Sequence, residues 1–181
     1  NDITKLELGV QSGDVTLEKG KSAIFSYNIF ETDTYAFKTT SDKVAITGLY
    51  GSAVDKNAYK AKELKSGASG TFTVTNGTEE TVTFKVSMTK VVPKELEAGA
   101  EAVKVVKNDN ADVYEWFSFK ADEDYRYVFA KGTDKAIAYS VIKGDHVSGS
   151  LWTEAQYIEK YTKKKNNEWI VAVSAAEEAN I

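Results

Sequence analysis

The chain contains no cysteine, and that absence removes disulfides, thiolate nucleophiles and cysteine-based zinc sites together. Histidine is nearly absent too. The single copy, His146, sits in the turn-like run Lys143-Gly144-Asp145-His146. A general base needs an orienting carboxylate and a nucleophile nearby. Asp145 is adjacent, but no Gly-x-Ser-x-Gly or comparable setting accompanies it, and a surface histidine is the simpler reading. No apolar run approaches the roughly 18 residues of a membrane span. A basic surplus is also missing: the net charge is −4, with 11 Lys against 11 acidic residues in 1–90 and 12 Lys plus Arg against 16 acidic residues in 91–181. Nucleic-acid binding needs such a surplus, so nucleic acid is set aside as a partner. The one basic run, Lys163-Lys164-Lys165, reads as a helix C-terminus, where cations meet the negative end of the dipole.

What is present suits a packed β protein. Hydrophobic residues make up 42% and charged residues 28%, a balance that favours a core over disorder. Tyr outnumbers Phe, as on half-buried β-surface where a ring packs and its hydroxyl stays wet. Ile3 to Val10 alternates as a strand, with Gly9 as a bulge. Val15 to Leu17 is a short strand, Glu18 to Lys21 a turn, and Ala23 to Ile29 places Ala23, Phe25, Tyr27 and Ile29 on one face. Thr34 to Lys38 and Val44 to Leu49 follow as strands. Ser52 to Lys65 is less regular and tolerates a helical turn. Gly70 to Thr75 and Thr81 to Met88 alternate on either side of Asn76-Gly77, the dipeptide of a type I′ hairpin turn.

The stretch Tyr114 to Ala121 has an echo in Thr34 to Thr39. Leu96-Glu97-Ala98-Gly99 matches Leu17-Glu18-Lys19-Gly20 at an offset of 79, as Asp112 and Tyr114 match Asp33 and Tyr35. Phe119-Lys120 matches Phe37-Lys38 at 82, and Glu168 to Ala175 matches Thr81 to Met88 at 87. Drifting offsets in preserved order are what loop insertions in a duplicated domain produce. The only proline, Pro93, marks the junction. The fold expected is all-β: two tandem antiparallel β-sandwich modules of jelly-roll or immunoglobulin-like type, 1–91 and 92–181. The second carries a short helical insertion near 154–164, opened by the capping box Thr153-x-x-Gln156 and ended at Asn166-Asn167.

Asp112-Val113-Tyr114-Glu115-Trp116-Phe117-Ser118-Phe119 resembles the D-x-D-W/Y-F-x-F core of bacterial pre-peptidase C-terminal domains. Leu6-Glu7-Leu8-Gly9 through Gly20 is similar to their opening, and Asn167 to Val173 to their closing G-x-Y-x-V-x-V strand. The resemblance implies secreted or surface-displayed antiparallel sandwiches without catalytic activity, often appended to extracellular hydrolases, some binding polysaccharide or collagen. The first module departs from it by lacking the Trp-Phe pair, and the second by carrying the helix.

Asn108-Asp109-Asn110-Ala111-Asp112 is oxygen-rich, and the spacing of Asn108, Asn110 and Asp112 is that of a calcium loop, but Val113 stands where such a loop has glycine. An Asx-turn is the favoured reading, so no cofactor is expected and calcium stays the one alternative. The acidic clusters, such as Asp122-Glu123-Asp124, sit in turns and read as solvated charge. Trp116 and Phe117 must point to opposite faces of their strand, and Trp169 falls in phase with Val171 and Val173 as a core residue. Trp152, Tyr157 and Tyr161 lie close together on the helical insertion, with Lys160 and Lys163 beside them. Aromatic rings with polar handles are the surfaces on which sugars stack. The competing account makes Trp152 a helix staple, and Tyr157, Ile158 and Tyr161 the stripe that holds the helix down.

These residues imply a protein that is not an enzyme. It is expected to be a binding or display module of a secreted or cell-surface bacterial protein, with an extracellular polysaccharide or protein polymer as partner. The alternative is a structural spacer or protein-interaction module with no small ligand. A start at Asn1 without Met suggests a processed or trimmed protein, part of a larger multidomain chain.

Overall fold

The computed structural model describes residues 2–52 and 54–95, and beyond them the segments 104–105, 115–120, 126–130, 137–143, 151–152, 157–161, 168–175 and 179–180. The regular structure of these residues is all β, with no helix among them. The chain divides into two compact units, the first built on Asn1–Val91 and the second beginning at Val92.

The first unit runs through β1 (Ile3–Lys5), β2 (Val15–Leu17), β3 (Ser22–Asn28), β4 (Asp33–Thr39), β5 (Val44–Thr47), β6 (Val54–Lys56), β7 (Tyr59–Leu64), β8 (Ser69–Asn76), β9 (Val82–Phe84) and β10 (Val86–Lys90). One sheet has the order β1-β3-β8-β5, another β10-β4-β7-β6, and β2 pairs with β9. Period-two alternation explains the arrangement. Phe25 and Tyr27 of β3, Phe72 and Val74 of β8, and Val44 and Ile46 of β5 bury one face of the first sheet. Tyr35 and Phe37 of β4 and Met88 of β10 bury the facing side of the second, and all belong to one core cluster. The Tyr27 and Phe37 rings meet across it at 5.1 Å, so the two sheets enclose a common sandwich-like core.

A close approach inside this unit yields a test. Gly70 pairs in register with Tyr27, whose ring lies over it. A Cβ at position 70 would stand 2.8 Å from Tyr27 Oη and 3.0 Å from Cζ. Gly70→Ala must therefore displace a buried ring that touches Phe37 and Phe72. Overpacking of this kind costs about 1–3 kcal/mol, which a urea titration of the variant should show.

Three local expectations are corrected. Ile3 to Val10 is not one strand: β1 runs parallel to β3, then the chain crosses sheets, with Leu8 bridging Met88 and Gly9 turning at φ 77°. Ser52 to Lys65 holds the antiparallel strands β6 and β7 instead of a helical turn: Tyr59 and Ala61 are buried at a spacing of two, and β7 is bonded to β6 on one side and β4 on the other. Asn76-Gly77 makes no hairpin. Strand β8 pairs with β3 and β5, while the following strands pair with β2 and β4. Asn76 is fully buried and uses its side chain to steer the chain out of the first sheet.

The second unit holds β11 (Lys94–Glu95), β12 (Lys104–Val105), β13 (Glu115–Lys120), β14 (Arg126–Ala130), β15 (Ile137–Lys143), β16 (Leu151–Trp152), β17 (Tyr157–Tyr161), β18 (Glu168–Ala175) and β19 (Ala179–Asn180). Its sheet order is β11-β13-β18-β15-β16, with β12 on β19 and β14 on β17. Adding ten to each label of the first unit reproduces five of these pairings. They are parallel β1 with β3, and antiparallel β3 with β8, β8 with β5, β2 with β9 and β4 with β7. The units differ in that β16 pairs with β15 whereas β6 pairs with β7.

This strand order re-registers the internal match. Ile24-Phe25-Ser26-Tyr27 falls on Trp116-Phe117-Ser118-Phe119, and Thr34-Tyr35-Ala36-Phe37 on Arg126-Tyr127-Val128-Phe129, both at an offset of 92. Leu6-Glu7-Leu8-Gly9 falls on Leu96-Glu97-Ala98-Gly99 at 90. Tyr114 to Ala121 thus corresponds to β3, not to Thr34 to Thr39, and Glu168 to Ala175 corresponds to β8, not to Thr81 to Met88. The helix expected near 154–164 is also corrected where it is described: Tyr157 to Tyr161 is strand β17, antiparallel to β14. Its residues fit period two as well as a helical stripe, and pairing with Arg126 to Ala130 decides between them.

Candidate functional site

Trp152 lies on β16, paired with Ile137 of β15, whereas Tyr157 and Tyr161 lie on β17, paired with Ala130 and Arg126 of β14. The three residues expected on one insertion are therefore on strands of two different sheets. The oxygen-rich Asn108, Asn110 and Asp112, and His146, fall outside the described residues. Among the described residues no group of three or more His, Asp and Glu stands ready to hold a metal. Trp116 and Phe117 are both buried, so β13 is covered on both faces at that point.

The site with describable geometry lies in the first unit, where the chain leaves β1 and crosses towards β10. A groove of about 280 Å³ opens there. Its floor is the buried trio Leu6, Tyr35 and Met88. Its apolar walls are Leu8 and Phe30, and its rim carries Lys5, Glu7, Asn28 and Glu31. Phe30 is 87% exposed, beyond any other large apolar side chain described.

The loop that presents Phe30 is tied down on every side. Ile29 N–H donates to Ala68 O and Gly67 N–H to Ile29 O, each at 2.8 Å. Ser66 Oγ donates to Phe30 O at 3.0 Å, and Ser66 N–H to Thr32 Oγ1 at 2.9 Å. From below, the buried Tyr35 hydroxyl donates to Glu31 O. Burial raises the Tyr35 phenol above its ordinary range, which keeps it a donor. Lys90 Nζ reaches Glu31 Oε2 at 2.7 Å and Asp33 Oδ2 at 3.5 Å. The hydrogen bond to Glu31 holds the Lys90 ammonium above the usual lysine range.

That raised value sets a pH dependence. A lysine whose folded pKa exceeds its unfolded value of about 10.4 adds stability that is complete below that value and lost as pH rises through the folded one. The stability difference between wild type and Lys90→Met should therefore hold to about pH 10 and shrink above it, as read from urea midpoints across that range.

Phe30 has a signal in the sequence. Ala23, Phe25, Tyr27 and Ile29 keep the inward phase of β3, and Phe30 follows Ile29 out of phase, just before Glu31-Thr32-Asp33. An apolar residue out of phase at the mouth of a polar turn has no place in the core. No family model matches the chain, and no curated protein matches it.

Proposed function

We propose that the chain is a non-catalytic binding or display module of a secreted or cell-surface protein. It is made of two tandem β-sandwiches, antiparallel except for the parallel pairing of the first strand of each, and engages an extracellular polymer, polysaccharide before protein. The matched pairing order of the two units supports the tandem architecture, and the resemblance to pre-peptidase C-terminal domains supports the setting. The observation that carries binding is Phe30, a bare aromatic on a pinned loop beside a groove. A loop backbone held there costs little further ordering when a ligand stacks on the ring it presents. The groove joins carboxylates, an amide and an ammonium to apolar walls, a mixed lining that supports binding of a polar ligand with an apolar face.

Co-sedimentation of the purified chain with insoluble cellulose, chitin and xylan tests this reading. Retention on at least one polymer is the expected result. Absence of retention on all three would favour a spacer that orders neighbouring domains. Trp152→Ala and Tyr157→Ala belong in the same assay, as two separate aromatic positions on β16 and β17.

A further inference from the structure

We infer that the groove at the β1–β10 crossing takes a single uncharged pyranose ring stacked on Phe30, and that the second unit, whose sequence has Asp122 at the matching position, does not repeat this aromatic platform. This rests on the polysaccharide reading above and narrows it to a ligand class and a place. Size comes first. A volume of about 280 Å³ lies just below the roughly 300–1,000 Å³ range of small-molecule pockets, so it suits one ring and not a cluster of them.

Charge comes next. The nearby charges are mixed in sign: Lys90 engages Glu31 and Asp33, and the rim carries Lys5 as well as Glu7. A strongly anionic or cationic ligand finds no unanswered cluster of opposite sign. Hydroxyl groups, which both donate and accept, match a rim holding the Asn28 amide, the Lys5 ammonium and the Glu7 carboxylate. Glu31 joins them, because only its Oε2 is taken by Lys90. The apolar face of a pyranose then meets the Phe30 ring and Leu8.

The internal match separates scaffold from site. Floor residues recur in the second unit: Leu6 corresponds to Leu96 and Tyr35 to Tyr127. The walls do not. Leu8 corresponds to Ala98 and Phe30 to Asp122. The same strand plan is thus built without an aromatic at this position, so folding does not require Phe30. A phenyl ring left 87% exposed has little packing to lose.

Affinity gel electrophoresis tests the inference, with soluble β-glucan, xylan and galactomannan as neutral probes and polygalacturonate as the anionic one. Wild type should be retarded by a neutral polymer more than by polygalacturonate. Phe30→Ala should weaken that binding at least tenfold while its urea midpoint stays at the wild-type value, and Asp122→Ala should leave binding unchanged. If a neutral polymer binds wild type and Phe30→Ala equally, the groove assignment fails while polysaccharide binding stands. Preference for polygalacturonate overturns the uncharged ligand class. Equal losses in Phe30→Ala and Asp122→Ala overturn confinement to the first unit. If no polysaccharide binds wild type, the inference and the reading beneath it fall together.

Discussion

Phe72→Ala is expected to destabilise the first unit by about 3–5 kcal/mol, the usual result of emptying a fully packed aromatic site. Phe72 is 2% exposed and sits where the two sheets converge. Its ring stacks on Phe25 at 5.6 Å, meets the edge of Phe37 at 5.4 Å and lies 6.4 Å from Tyr27. Three of its neighbours are rings from β3 and β4, already anchored by their own strands, so the cavity has little freedom to collapse. Far-UV circular dichroism in urea should show a large drop in midpoint with little change in slope. A loss below about 1 kcal/mol would mean that this ring cluster is not the centre of the core. Phe30→Ala, a deletion of the same side chain from an exposed position, should stay within about 0.5 kcal/mol of wild type.

Asn76→Asp is the second large effect, and it has a pH signature. Asn76 is fully buried. Its Nδ2 donates to Leu17 O at 2.9 Å and to Glu80 O at 2.7 Å, while Oδ1 accepts from Thr78 N–H and Thr78 Oγ1. An aspartate would keep the acceptor but turn a second oxygen onto two carbonyls. At pH 7 the expected cost is about 3 kcal/mol or more, from a buried charge turned onto two carbonyls that lose their amide donor. Protonation restores one donor, so the folded pKa of the new carboxyl is raised above about 3.9. The unfolded chain loses that proton first, and the deficit grows as pH rises from the unfolded value through the folded one. Urea midpoints at pH 4 and pH 7 should diverge in that direction. An aspartate variant as stable as wild type at pH 7 would contradict the hydrogen-bond assignment. Asn76→Ala should lose about 1–3 kcal/mol with no such pH dependence.

Much of the strand content was legible. Val15 to Leu17, Ala23 to Ile29, Thr34 to Lys38 and Gly70 to Thr75 all lie in or across the observed strands, because alternation reports which face is buried. Partnership was less legible. Alternation says that Phe72 and Phe84 point inward, but not that one strand joins β3 and the other β2. Asn-Gly is a strong hairpin signal only when the asparagine is free to adopt positive φ; here its side chain is committed to three backbone segments. The internal match is present in the sequence, but its short anchors fit more than one register. Leu-Glu-x-Gly occurs at both Leu6 and Leu17, and a Phe-Lys ending fits several strands, so short anchors settled on the wrong copies. For the site, three aromatics close in sequence drew attention, yet strands β16 and β17 carry them to different sheets. Phe30 stands alone in sequence, and the crossing of β1 gives it neighbours.

The correspondence of strand plans has one direct measurement: amide hydrogen exchange along Glu168 to Ala175. If β18 is the counterpart of β8, it lies between β13 and β15, and successive amides point alternately at two bonded neighbours. Ile170, Val171, Ala172 and Val173 should then all be protected, as should Thr73 to Thr75 of β8. Protection of every second amide from Ile170 to Val173, the mark of a strand with one partner, would contradict it.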